Sequence, residues 1–436
     1  MSSDILSVLD RWKNEAGSIR TLKVRWLLNP GCAPIRNAGI TEQNGTITDI
    51  CSLPDSAAGD VLHVVMVPPL VNAHTHLEFS HLAEPLLPAQ PFQAWISSLM
   101  QSRTDSGVSR DQSIRLGVQE SQANGVSAIG EISTETFPAD CMDDAISTVS
   151  FREFIGLTPA RIRDQLLAAE QHLSAARRSG IVNGLSPHAP YTVHPELLRQ
   201  LLDLAEQSQV PVAMHVAETT DEIELLTHGR GRFAGFLSER GLFEPTIFPG
   251  GRCILDILKE LSRARRSLVV HGNYLTNGDV EFLREHPNLT TVYCPRTHAF
   301  FGHPEHPLRR LRAAGCRVVL GTDSRASNPD LSIWRELQFV ALRFPEIPPG
   351  ELLAMITTDA ADSMGLDPAA FEIREGGTMA GVLLACDEAS STFERFLNQT
   401  QIGECSHPAF ILRAGMTDTK APRLFEPRMD TNGHEF

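Results

Sequence analysis

The sequence predicts a (β/α)8 TIM barrel with a small β-sandwich domain built from both chain termini. Three observations carry that expectation. From residue 64 onward, short β-rich runs alternate with stretches whose apolar residues recur every three or four positions. Eight such runs occur, at 64–74, 125–132, 145–157, 181–190, 210–218, 267–275, 290–295 and 317–323. Eight parallel strands is the number that closes a barrel. Histidines and an aspartate sit at the C-terminal ends of these runs, where barrel enzymes assemble their sites. The competing arrangement, an open doubly wound sheet, usually carries a glycine-rich phosphate loop after its first strand, and none is present here.

The elements follow in chain order. Residues 1–62 form the N-terminal part of the small β-domain, and Asn44-Gly45 within 40–50 is a hairpin signal. Residues 63–368 form the barrel. Its first run, continuous and apolar over 64–71, reads as one buried strand. Helical patterns at 160–179, 195–207, 221–242, 279–285 and 306–314 lie between the later runs, and one at 332–343 follows the last. An insertion at 77–110, with Trp95 and several prolines, follows the first run and is a candidate lid. A second insertion, at 243–266, contains Pro249-Gly250-Gly251. After a helical stretch at 351–364, residues 369–415 return to pair with the N-terminal strands. The polar tail at 416–436 is expected to be poorly ordered.

Composition narrows the function classes. The chain has 436 residues, 42% of them hydrophobic, enough for a large core. A formal charge of −15 disfavours phosphate backbones, so no nucleic-acid partner is expected. The eight cysteines are scattered without a Cys-x-x-Cys pair, which argues against a disulfide framework and for a reducing compartment. The first residues lack an apolar signal core, and no apolar run approaches the length of a membrane span. A cytoplasmic protein without a membrane partner is the expectation.

The run ends carry the chemistry. In extended backbone, residues i and i+2 share a face, so His74 and His76 aim two imidazoles at one point. His188 ends the fourth run and His215 the fifth, with Glu218 three residues on. His271 ends the sixth, and Asp323 the eighth. A catalytic divalent ion needs neutral imidazoles, a carboxylate and one position left open for water. His74, His76, His215 and Asp323 supply that set. Glu218 is placed to carry protons without binding metal, His271 to position water, and Asp323 to accept its proton. The alternatives are a surface glutamate opening a helix for Glu218 and a buried structural histidine for His271. For His188, metal ligand, substrate contact and core histidine all stay open, with substrate contact favoured.

This order of motifs over a (β/α)8 pattern resembles the amidohydrolase superfamily. Within it, the chain is similar to the deaminase and chlorohydrolase group of guanine, S-adenosylhomocysteine/methylthioadenosine and aminofutalosine deaminases. The matching segments are 70–76, 186–192, 215–218, 270–272, 294–296 and 321–328. The resemblance implies one divalent metal, zinc or alternatively iron, on His74, His76, His215 and Asp323. It assigns proton transfer to Glu218, His271 and Asp323, and substrate contact to His188. The implied reaction is hydrolytic attack on the ring carbon of an aromatic amidine, releasing ammonia. No lysine lies between Lys23 and Lys259, which excludes the lysine-bridged two-metal site of dihydroorotase-like relatives. Thr297-His298 and Ser324 depart from the group's usual residues. Further candidate substrate contacts are Glu78, Trp95, Arg152, Arg296 and Arg325, although the arginines alternatively pair with acidic groups. Adenosine derivatives such as aminofutalosine or S-adenosylhomocysteine are the preferred small-molecule substrates. A chlorohydrolase, a cyclic amide or triazine hydrolase, and a non-catalytic barrel are the alternatives. A homo-oligomer is expected by analogy.

Overall fold

The computed structural model of the chain describes residues 19–54, 61–141, 146–174, 180–386 and 410–412. The first strands are β1 (Arg20–Leu27), β2 (Ile35–Gln43), β3 (Thr46–Ser52) and β4 (Leu62–Val67). They join β13 (Gly381–Ala385) and β14 (Phe410–Leu412) in one six-stranded sheet of order β14-β13-β4-β1-β2-β3. Both ends of the chain therefore build the small domain. Asn44 and Gly45 turn the β2–β3 hairpin with φ of 53° and 80°, a pair of left-handed residues that matches the twist of the strands. Leu22, Val24, Ile40, Ile47, Met66 and Leu383 pack as that sheet's own apolar cluster. The tail at 416–436 lies outside the described residues.

The barrel consists of β5 (Leu70–Thr75), β6 (Val126–Ser133), β7 (Ser147–Phe154), β8 (Ile181–Pro187), β9 (Val212–Val216), β10 (Ser267–His271), β11 (Leu289–Tyr293) and β12 (Val318–Leu320). Each strand pairs in parallel with the next. A parallel bridge from Thr75 to Asp323 brings the last strand back to the first. That closure excludes the open sheet. Alternate residues divide between two layers, as strand geometry requires. Val71, Ala73, Val149, Phe151, Ala213, Leu268, Val270, Val292 and Val319 form the inner cluster. Leu70, Phe154, Met214, Val269 and Tyr293 face outward, onto helix residues such as Leu197, Leu201, Ile257 and Leu337.

The helical stretch expected at 351–364 is two short helices, Pro349–Ala354 and Thr358–Ser363, and two further expectations from the sequence change. The apolar run at 64–74 is two strands in two sheets, because Pro68-Pro69 interrupts it. Proline has no N–H for a ladder, so the chain leaves the small sheet at Val67 and enters the barrel at Leu70. The pattern at 221–242 is two helices, Thr220–His228 and Arg232–Glu239. Gly229 ends the first with φ 61°, and Gly231 at φ 100° starts the second.

The insertion after β5 holds a short 3₁₀ turn, Leu77–Phe79, and a helix, Phe92–Asp105. It is tied to the loop after β12. Trp95 Nε1 and the Leu86 N–H both donate to the Ala326 carbonyl, at 3.1 and 2.9 Å. Phe79, Phe92 and Trp95 pack there with Tyr191, Phe233 and Phe301.

Candidate active site

Five side chains from four separate strand ends meet at the C-terminal mouth. His74 and His76 come from β5, His215 from β9, His271 from β10, and Asp323 from just beyond β12. His76 Nε2 lies 3.3 Å from His215 Nε2. Asp323 Oδ1 lies 3.8 Å from His74 Nε2 and 3.7 Å from His76 Nε2. His74, His76 and His215 each offer an atom within 4.8 Å of the others, as do His74, His271 and Asp323. Local backbone strain accompanies this convergence. Ala217, His271 and Asp323 are non-glycine residues at φ of 55°, 72° and 58°, conformations that cluster at functional sites.

The donor set fits a divalent ion. Both ring nitrogens of His74 are buried without a hydrogen-bond partner, a costly state unless another atom uses the lone pair. His215 Nδ1 donates to the His188 carbonyl at 2.9 Å, leaving Nε2 bare for a metal. Two imidazoles on one tetrahedral zinc stand about 3.3 Å apart, given Zn–N bonds of roughly 2.0–2.1 Å. Burial pushes His74, His76 and His271 well below the usual imidazole range, and His215 down to about 4. All four are held in the neutral form that ligates. Burial also raises Asp323 to about 7.

Glu218 stands beside this cluster, with Oε1 3.5 Å from His271 Nε2. Burial first, then the charges of Asp323 and Glu222, push its carboxyl well above the carboxylate range. Its backbone is pinned twice. Its N–H donates to Glu222 Oε2 at 2.9 Å, and its carbonyl accepts from Asn273 Nδ2 at 3.0 Å.

The other expected substrate contacts divide. His188 reaches the cluster, with its ring 5.0 Å from that of His215. Glu78 is buried and already accepts from Arg110 Nε at 2.7 Å and from the Thr134 N–H at 3.0 Å. Trp95 is a packing residue of the insertion, stacked on Phe92. Arg296 is held by Asp330 at 2.7 Å and by the fully buried Glu336 at 2.6 Å. Arg325 donates to the Leu82 and Ala83 carbonyls and to Glu120, clamping the insertion to the barrel. The guanidiniums of Arg296 and Arg325 are thus engaged by the protein itself. Arg152 follows the inner residue Phe151 and precedes the outer residue Phe154. Its guanidinium reaches Thr136 and lies 5.9 Å over the Phe154 ring. Its neighbour Glu153 takes the inward direction instead.

A model of the amidohydrolase family matches residues 65–377. The chain belongs to that family. An aminodeoxyfutalosine deaminase of Deinococcus radiodurans is 30% identical over 312 residues, covering 68% of this chain and 72% of that protein. A 5-methylthioadenosine/S-adenosylhomocysteine deaminase of Pyrococcus furiosus is 28% identical over 321 residues, covering 69% and 71%. Among solved structures, Helicobacter pylori aminofutalosine deaminase with methylthio-coformycin superposes with a TM-score of 0.73 at 20% identity, covering 91% of this chain and 98% of that one. A triazine hydrolase variant gives 0.70 at 16% identity, covering 91% and 93%. At these identities the two structures speak for the fold.

Three residues of this amidohydrolase's site have no motif of their own. Glu131 at the end of β6 accepts the Leu77 N–H with both oxygens, at 3.2 and 3.0 Å, which fixes the chain just past His76. Glu222 binds the N–H groups of Ala217 and Glu218, each at 2.9 Å, and so holds the turn after His215. Its place in the first turn of a helix is the one signal that points to it. Glu153 is the third. Thr297 Oγ1 lies 3.1 Å from Ser327 Oγ behind Asp323, a structural contact. Among the described residues every cysteine is a free thiol, and no helix is long and apolar enough to cross a membrane.

Proposed function

We propose that this amidohydrolase is a metal-dependent aminohydrolase of purine-like rings, acting on adenosine derivatives such as aminofutalosine or S-adenosylhomocysteine. The observation that carries this reading is the Glu218–His271 pair beside the His74, His76, His215 and Asp323 cluster. The names of the curated relatives support the substrate class. His74, His76, His215 and Asp323 hold one divalent ion, zinc before iron. When bound, such an ion lowers the pKa of a water at its open position, to about 7 in favourable zinc sites.

The chain's own groups do the rest. Asp323 accepts the proton of the attacking water, and His271 orients that water from the opposite side. Glu218, kept neutral by burial, delivers a proton to the ring nitrogen beside the carbon under attack. It regains from Asp323 the proton taken from the water and passes it to the amino group, which leaves as ammonia while the added hydroxyl returns its own proton to Glu218 and becomes the ring carbonyl. Water and the amino-substituted ring become the oxo ring and ammonia, so atoms and charge balance. His188 lines the site on the substrate side.

The test is ammonia release by zinc-loaded protein from adenosine, methylthioadenosine, S-adenosylhomocysteine, aminodeoxyfutalosine and guanine. Turnover of an adenosine derivative supports the reading, and failure on every amino-heterocycle sinks it. Mass spectrometry of the products separates the chlorohydrolase and cyclic amide alternatives, which yield chloride or a ring-opened acid. The reading includes cytoplasmic residence and a homo-oligomer, the latter open to sedimentation velocity.

A further inference from the structure

Strand β7 presents a carboxylate to the mouth of the barrel that no motif accounts for. Val149 and Phe151 belong to the inner cluster, and the alternation of the strand carries Glu153 onward in the same direction. Its side chain is only 8% exposed, with Oε1 3.8 Å from His188 Nε2. Among the described residues no hydrogen-bond donor reaches that carboxylate. The nearby cation Arg103 leans toward Glu78, at 3.7 Å, and over the ring of Phe79, at 4.9 Å.

The state of His188 follows from its other nitrogen. Nδ1 lies 2.7 Å from Thr192 Oγ1, which is also 3.2 Å from the Ala189 carbonyl, an acceptor only. With the hydroxyl proton on that carbonyl, the hydroxyl accepts from His188 Nδ1–H and Nε2 carries a lone pair, the tautomer assigned here. Two acceptors, Nε2 of His188 and the carboxylate of Glu153, thus face one gap with no donor between them. A buried carboxylate without a donor is costly, so the gap is built for a ligand that brings donors. An adenine-type ring offers acceptor nitrogens along its edges, and its exocyclic amino group is the one that leaves. The donors that all these adenosine derivatives share besides it are the hydroxyls of the sugar.

We propose that Glu153 is a substrate-binding residue that, with His188 Nε2, receives hydroxyl groups of a nucleoside's sugar. The inference rests on the proposed function and deepens it, since it assigns the sugar of the adenosine derivative to a named pair of residues.

The experiment uses the zinc-loaded full chain and two probes that lack an amino group and so do not turn over, inosine and 2′,3′-dideoxyinosine. Calorimetry measures the binding of each to wild type, Glu153→Gln and Glu153→Ala. Wild type prefers inosine by about tenfold, the scale of one hydrogen bond to a charged group. The preference falls by roughly threefold or more in Glu153→Gln and approaches unity in Glu153→Ala. Glutamine keeps the shape of the side chain, so the test survives if the alanine variant does not fold. Equal binding of the two probes by wild type overturns the inference. So does an undiminished preference in Glu153→Gln, which would make Glu153 a protonated structural partner of His188. Binding of neither probe overturns it as well. If inosine is preferred as stated but no amino-heterocycle is deaminated, the proposed reaction falls while the sugar site stands.

Discussion

Glu218→Gln isolates proton transfer from everything else the site does. The substitution keeps size and shape, and the backbone at this position is held by Glu222 and Asn273 rather than by its own side chain. Glu218 contributes no atom to either candidate ligand group, so zinc content stays at the wild-type level. What disappears is the proposed proton carrier, whose side chain is 7% exposed and 3.5 Å from His271 Nε2. Positioned acid–base groups contribute about 10²–10⁴ in rate, or roughly 3–5.5 kcal/mol of barrier. We therefore expect kcat/KM for the best adenosine derivative to fall by about 10³-fold. A coupled ammonia assay measures the rate, elemental analysis the zinc, and thermal unfolding the fold. Activity within about tenfold of wild type would refute the assignment. Loss of zinc in proportion to activity would instead make Glu218 a ligand.

Three further outcomes follow from the geometry. In Gly321→Ala the new Cβ lies 2.8 Å from His74 Cβ and 2.9 Å from its carbonyl oxygen. Overpacking there costs about 1–3 kcal/mol and weakens zinc binding, and an unchanged melting temperature with an unchanged zinc titration contradicts it. Arg296→Met leaves Glu336 buried without its cation. We expect about 3–5 kcal/mol of lost stability with KM preserved in the folded fraction; the reverse pattern would return Arg296 to the substrate. The last outcome concerns pH. Burial pushes Glu222 from 4.5 up to about 7, so the native state binds its proton more tightly than the unfolded chain does. The resulting stabilisation is complete below the unfolded value and is lost as pH rises through the folded one. The advantage of wild type over Glu222→Gln in urea should shrink between about pH 5 and 8, by on the order of 2 kcal/mol. A difference independent of pH rules this out.

Much of the architecture is legible before any coordinates, because it rests on short-range patterns. Asn44-Gly45 announces its hairpin through the left-handed conformation that both residues tolerate. Residues 195–207 announce a helix by periodicity, and the structure has it at Pro195–Ser208. The pattern at 221–242 misleads because periodicity alone does not register the break at Gly229.

The sequence by itself determined where side chains of ligand and proton-transfer type stand, at the C-terminal ends of several β-rich runs, since side-chain type and local spacing are properties of a short stretch. Only the tertiary structure decided that Pro68-Pro69 divides one apolar run between two sheets, and that Thr75 meets Asp323 to close the barrel. It also decided that Glu153 rather than Arg152 follows the inward face of β7, since a shift of one residue exchanges the barrel interior for the helical layer. The partners of Arg296 and Arg325 lie in other segments: the loop and helix at Asp330 and Glu336, and the distant Leu82, Ala83 and Glu120. Direction and partnership depend on register and on contacts between residues far apart in the chain, and no local pattern encodes either.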